Sequence, residues 1–315
     1  MEERSEIPLI CFTLFAPAAA GATAFSLLLG GGTVLAAAVA LMVTVGMLAS
    51  VAHLVRPLRA PRSLAHWKSS WLSREIIAVS AFWALAVLWL AAELLVRSSM
   101  FPQMTALSGG FPVAFALNVL AAVAGVALVP VIAKAYRVHG QPAWNGSDTL
   151  WELAAGAIGS GGVVAAAVAS WQCVAQGGVG GVAFGCCFPL TLSLIALLAV
   201  SASGLAMGHA RRLRIQRVSE LAEREGSPRA RTARDELVEN PGAPRVYLAL
   251  DSASGACALI ACIVAALFGH GATGGVAVAS VLAAATALEL SAQAAVRSRF
   301  YSLAQRARYA VWQGR

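Results

Sequence analysis

Apolar residues run along this chain in eight long blocks separated by short polar stretches. The blocks cover roughly 7–29, 33–55, 75–97, 111–133, 150–172, 183–208, 246–268 and 272–296. A helix needs about 20 apolar residues to cross the hydrocarbon core of a bilayer, and each block meets that length. Barrel strands are a poor fit, because the blocks are continuous and about twice the length such a strand needs. Several blocks are rich in Ala and Gly, as in Leu35-Ala36-Ala37-Ala38-Val39-Ala40. Small residues let helix backbones approach closely inside lipid, so these runs predict packed interfaces and not linkers. The expected fold is an all-α integral membrane protein, an eight-transmembrane-helix bundle forming one domain over 1–315. Residues 209–245 form the single long loop, whose first half is expected to extend the sixth helix. The leading Met1-Glu2-Glu3-Arg4-Ser5-Glu6 is acidic where a signal peptide is basic, so the first span is expected to be retained.

Composition removes the other classes. Of 315 residues, 59% are hydrophobic and only 12% are charged, against roughly 25% charged in a soluble domain. Such a chain can neither cover a soluble surface nor stay disordered. Six Cys in this length do not make a disulfide scaffold, and all six read as small buried hydrophobes in or beside the spans.

The net charge of +8 acquires a meaning once the spans are placed. With eight spans both termini share one side, together with 56–74, 134–149 and 209–245. That side carries 22 of the 23 Lys and Arg residues; the other holds Arg97. The positive-inside rule then puts both termini in the cytoplasm of a bacterial inner membrane. The charge is topology, and nucleic acid is not an expected partner.

Ionisable groups inside spans are costly and mark function. His53, Glu75, Asp251 and Glu289 all fall in the cytoplasmic half, flanked by Arg56, Arg59, Arg62, Arg74 and Arg297. Glu93 and Arg97 lie near the opposite face at i,i+4 spacing and are expected to pair. Acids, a His and arginines at one depth predict a polar pocket facing the cytoplasm. The competing reading is that terminal charges snorkel, that Glu75 answers the helix dipole, and that the deeper acids make helix–helix hydrogen bonds. No Cys-x-x-Cys, Walker A, nucleophile elbow or zinc spacing occurs, and no His lies mid-span to ligate haem. The expected cofactor set of this chain is empty, so any redox chemistry must use a partner's centres.

Four stretches carry a family resemblance. Glu6-Ile7-Pro8-Leu9-Ile10-Cys11-Phe12-Thr13 resembles the opening of dimethyl sulfoxide reductase membrane-anchor subunits, the DmsC family. His53-Leu54-Val55-Arg56-Pro57-Leu58-Arg59-Ala60 resembles that family's H-L-G-x-P-x-R-A, with Val55 at the Gly position. Leu72-Ser73-Arg74-Glu75-Ile76 is similar to its L-S-N-E-I, and Arg297-Ser298-Arg299-Phe300-Tyr301 to its R-x-x-F-Y. The family has Glu four residues before that Arg; here Gln293 stands there, with Glu289 one turn earlier. Between about 98 and 245 only hydropathy agrees.

The resemblance implies an anchor subunit that binds quinol, menaquinol or ubiquinol, and passes its electrons onward. The receiver would be a ferredoxin-like partner with [4Fe–4S] clusters, which serves a molybdopterin catalytic subunit. The family's quinol-site His and Glu fall on His53 and Glu75. A quinol pocket is expected to draw also on Arg56, Arg59, Ser73, Asp251, Arg297 and Tyr301. Many complexes of this family carry their catalytic subunits outside the cytoplasm; the charge asymmetry here predicts cytoplasmic ones. Two other functions compete. A structural tether would bind no quinone. A secondary transporter would show inverted repeats and helices broken near the midplane, for which Pro130 and Pro189 are the candidates.

Overall fold

The computed structural model describes residues 6–53, 67–97, 113–138, 141–175, 189–224, 228–239, 242–268 and 272–312. Arg56 and Arg59 and the side chains of His53 and Arg97 lie outside this set. Among the described residues every regular element is a helix: α1 Ile7–Leu29, α2 Thr33–His53, α3 Trp71–Arg97, α4 Val113–Ala135, α5 Asp148–Ala175, α6 Pro189–Arg224, α7 Pro228–Glu239, α8 Gly242–Phe268 and α9 Ala272–Trp312. All but α7 are long and apolar enough to cross a membrane.

The eight spans form two groups, α1–α4 and α5, α6, α8, α9, joined mainly where α1 packs on α5. Lipid gives no hydrophobic drive between helices, so close backbone packing must supply the cohesion. The glycines of α5 provide it helix by helix. Gly161 meets the backbone of Gly21 and Ala22 in α1, so tightly that a methyl group there would overlap it. Gly162 faces Ala199 of α6, Gly159 faces Ser203 of α6 and Glu289 of α9, and Gly156 faces Gln293 and Arg297 of α9. In consequence α5 is buried along most of its length, whereas Leu28, Leu41, Leu48, Leu198, Leu205 and Leu267 point outward, as lipid-facing side chains should. Gly30 closes α1 at φ 81°, a conformation that favours glycine, and lets α2 start three residues later.

Three details differ from expectation. Pro189 stands at the first position of the described helix α6, where a proline sacrifices no hydrogen bond; the residues before it, 183–188, lie outside the described set. Helix α9 continues well past residue 296, so its last turns stand beyond the apolar part. Cys173, at the end of α5 remote from the basic face, is disulfide-bonded and is therefore not a plain buried hydrophobe. Cys11, Cys257 and Cys262 are free thiols. As expected, α6 continues the sixth span outward as far as Arg224. Beyond it α7 folds back against α6 and α9.

Candidate functional site

Helix α3 begins beside the basic end of the bundle. Ser70 Oγ accepts the Ser73 amide at 3.4 Å, which satisfies one amide of the first turn. Arg74 donates to the carbonyls of Trp67 at 2.9 Å and Lys68 at 2.7 Å and stacks over the Trp71 ring at 4.3 Å. Those contacts commit Arg74 to the incoming backbone. Glu75 next to it points inward and is 6% exposed. Among the described residues no ion pair or hydrogen bond reaches its carboxyl group. Ser73 is buried as well.

The neighbours of Glu75 come from the far ends of the sequence. Tyr136, just past α4, and Tyr301 of α9 both lie within electrostatic reach of Glu75 and of Arg297. The Tyr301 hydroxyl donates to that of Tyr136 at 2.8 Å, with Thr13 Oγ1 and the Leu9 carbonyl of α1 each 3.4 Å away. Trp144 and Phe300 stack at 5.0 Å and, with Tyr136 and Tyr301, form an aromatic wall. Trp144 also donates its indole N–H to the Phe300 carbonyl at 2.8 Å, which pins the 141–147 loop to α9.

Helix α2 packs on α3, and Trp83 Nε1 donates to Thr44 Oγ1 at 2.9 Å. Two consecutive spans run antiparallel. Equal rises from that contact bring the backbone of residue 53 to the level of Arg74 and Glu75.

Behind the aromatic wall lies a buried ion network. Arg214 of α6 pairs with both Asp148 (Nε to Oδ2, 2.7 Å) and Glu152 of α5. Arg217 holds Asp148 at 2.9 Å and donates to the carbonyls of Pro142 and Ala143. Arg297 donates to Glu152 Oε1 at 3.2 Å and to the Glu152 carbonyl at 3.0 Å. Asp148 and Glu152 are each 1% exposed. Three guanidinium groups thus surround two carboxylates, which offsets part of their loss of water.

A third polar group sits deeper, among α6, α8 and α9. Glu289 accepts from Gln293 Nε2 at 3.0 Å and Ser203 Oγ at 3.4 Å, and Tyr247 donates to Asp251 at 3.3 Å. Asp251 and Glu289 lie within electrostatic reach of each other.

The structure therefore gathers Ser73, Glu75, Arg297 and Tyr301 at one end of the bundle, with Arg297 engaged by Glu152. Asp251 stands apart from them, in the Glu289 cluster. Trp89 donates its indole N–H to Glu93 at 3.1 Å; the expected partner of Glu93, the Arg97 side chain, lies outside the described residues. Tyr136, Asp148, Glu152, Arg214 and Arg217 are additions that the sequence patterns do not single out. Among the described residues no group of three or more His, Cys, Asp or Glu is placed to hold a metal ion.

These features define a polytopic helical membrane protein with a buried carboxyl group at its basic end that has no ion-pair partner among the described residues. The chain belongs to the DMSO reductase anchor subunit (DmsC) family, whose model matches residues 1–214. The C component of the anaerobic dimethyl sulfoxide reductase of Haemophilus influenzae is similar, with 32% identity over 162 residues. That alignment covers 47% of this chain and 53% of the relative, so the chain spans about half the length of the protein it matches. The matched family region contains both His53 and Glu75 and ends before Arg297–Tyr301. No solved structure matches.

Proposed function

We propose that this protein is the membrane anchor of a molybdopterin oxidoreductase complex in the bacterial inner membrane. In this reading it oxidises quinol and delivers the electrons to a [4Fe–4S] partner subunit of anaerobic respiration. The observation that carries the reading is Glu75, a carboxyl group buried at a helix start without a counter-ion among the described residues. Burying a carboxylate that way is costly, and chains tolerate the cost where the group does chemistry.

Quinol oxidation releases two electrons and two protons. His53, on the helix packed against α3, has the chemistry to accept a hydrogen bond from a quinol hydroxyl and take its proton. Glu75 would orient that imidazole or pass the proton outward, with Ser73 beside it. The aromatic wall of Tyr136, Trp144, Phe300 and Tyr301, packed mostly edge to face, is a candidate apolar border for the site. Arg56 and Arg59 are candidates for the quinol oxygen or for partner docking. Asp251 keeps a candidate role only as part of a proton route through Glu289.

Both termini are assigned to the cytoplasm. Besides the positive-inside count, the disulfide at Cys173 supports this side. Disulfides persist in oxidising compartments, and Cys173 lies at the end of α5 away from the basic face. The catalytic and iron–sulfur subunits would then dock on the cytoplasmic face, where basic loops suit an acidic partner.

The deciding measurement is reductase activity of the intact complex driven by a quinol analogue or by an artificial dye that feeds the clusters directly. His53→Ala is expected to abolish the first and spare the second. Equal activity with both donors would remove His53 from the site.

A further inference from the structure

We propose that a cavity at the basic end of α6, α8 and α9 binds a phosphate group, that of an anionic phospholipid headgroup. The cavity measures about 80 Å³, several times what one water needs. Arg211, Arg214, Arg299 and the ring of Tyr247 line its polar side. Met207, Leu237, Val296 and Phe300 form an apolar wall. Glu152 also borders it, but both of its carboxylate oxygens are already held, by Arg214 and Arg297.

The charge balance favours an anion. In the ion network three arginines (Arg214, Arg217 and Arg297) meet two acids, Asp148 and Glu152, which leaves one positive charge in excess. Arg211 adds another. Its side chain is exposed and makes no ion pair among the described residues. Excess guanidinium charge beside a low-dielectric wall attracts phosphate, which takes hydrogen bonds from the planar fork in pairs.

The depth favours a lipid as the source. The apolar part of α6 gives way to Arg211-Arg212 at this level. Close by, the exposed Trp151 ring meets His209 edge-on at 5.2 Å, an arrangement typical of the headgroup layer. Helix α7 closes the cavity with Leu237. It buries Ala230, Ala233 and Leu237 against the bundle and presents Arg231 outward, as an interfacial helix does. Basic pockets between spans on the cytoplasmic side are suited to anionic headgroups. The apolar wall adds a surface for the glycerol and upper acyl carbons, which a free phosphate ion would leave bare.

The test uses the full chain, purified and placed in nanodiscs of phosphatidylcholine with or without phosphatidylglycerol. Retained lipid is counted by native mass spectrometry, and Tm is recorded. The wild type is expected to retain phosphatidylglycerol selectively and to gain Tm from it. The Arg211→Gln/Arg299→Gln variant should lose affinity about fivefold for each arginine removed. Arg299 also donates to the Glu236 carbonyl at 3.0 Å, so this variant should lose some Tm in phosphatidylcholine alone, whereas Arg211→Gln should keep its Tm there. Arg211→Gln, on an exposed side chain, carries the test if the double variant does not fold, and should show about half the effect on a logarithmic scale. Retention that is equal in wild type and Arg211→Gln overturns the site. So does inorganic phosphate at millimolar concentration raising the Tm in phosphatidylcholine as fully as the lipid does, which would assign the cavity to a free anion. Loss of iron–sulfur partner binding in Arg211→Gln with lipid retention unchanged would assign it to an acidic side chain of that partner, and also overturns the proposal.

Discussion

Two buried glutamates in this molecule have opposite surroundings. Glu152, in the half built from α5, α6, α8 and α9, is gripped by Arg214 and Arg297 and shares Arg214 with Asp148. Glu75, in the α1–α4 half, is nearly as buried, lies within electrostatic reach of Tyr136 and Tyr301, and makes no ion pair among the described residues. Residue type and depth are alike, so neither distinguishes them. The counter-ions do. A carboxylate wrapped in guanidinium groups is committed to holding helices together, and removing its charge would leave arginines stranded. A carboxyl group without such partners is free to exchange a proton or to bond an incoming hydroxyl group. In the proposed reading the halves divide the labour, one anchoring the basic end and the other supplying its reactive group. Arg297 and Tyr301 of α9 connect them.

The joint between the halves should be the most sensitive point. Gly161→Val places branched carbons where α1 and α5 share backbone contact, and neither backbone can move without disturbing several other spans. Membrane-integrated protein is expected to fall below detection by immunoblot of membrane fractions. Substantial accumulation of the variant would mean that the halves are not joined there.

Next comes the paired half itself. Arg214→Met removes one partner each from Asp148 and Glu152, leaving Asp148 to Arg217 and Glu152 to Arg297. A loss of about 1.5–3 kcal/mol is expected, the worth of a hydrogen bond to a charged group. It would appear as a drop in the unfolding temperature of the detergent-solubilised protein. The triple variant Arg214→Met/Asp148→Leu/Glu152→Met should be less stable still, because it strands Arg217 and the buried Arg297 without a carboxylate. If Arg214→Met is as stable as wild type, the contrast between the two glutamates collapses.

Glu75→Gln should behave in the reverse manner. No ion pair is broken among the described residues, so thermal stability is expected to stay within about 0.5 kcal/mol of wild type, as for substitutions that disturb no packing or pairing. Quinol-driven turnover is expected to fall by about 10²–10⁴-fold, the range for loss of a group acting in proton transfer. Dye-driven turnover should hold. A variant that loses stability and retains quinol turnover would make Glu75 a structural residue.

The sequence exposes some of this and hides the rest for physical reasons. The eight spans are legible because bilayer thickness fixes a minimum apolar length. The outer turns of α9 are not, because they are amphipathic and no helix-stop signal separates them from the span. Glu75 stands out through the Leu72–Ile76 resemblance. Glu152 does not, although it lies four residues after Asp148, a spacing that puts both acids on one helical face. Arg214 and Arg217 repeat that hint three residues apart. What no spacing can show is that these two faces meet, since α5 and α6 are joined by a long connection. Tyr136 and Trp144 flank and occupy a short polar loop, where aromatics attract little notice. Only the return of α9 to that loop gives them a role.

The finest test concerns the boundary between the halves, the hydroxyl pair of Tyr136 and Tyr301. Tyr136→Phe deletes the acceptor of a 2.8 Å hydrogen bond and keeps the ring, so the aromatic wall survives. The Tyr301 hydroxyl can still turn toward Thr13 or the Leu9 carbonyl, each 3.4 Å away, so the pair is not left wholly unsatisfied. The stability cost is therefore expected to stay near about 1 kcal/mol, the usual net worth of one hydrogen bond. If the wall borders the quinol site, the KM for quinol should rise a few-fold with kcat little changed. This split follows because the tyrosine would position the ring and not carry the proton. A fall in kcat at constant KM would instead put Tyr136 on the proton path beside Glu75. An unchanged KM and kcat would place the ring site on the α2–α3 side of Glu75, away from α9, so that the two halves meet at the wall without sharing the substrate.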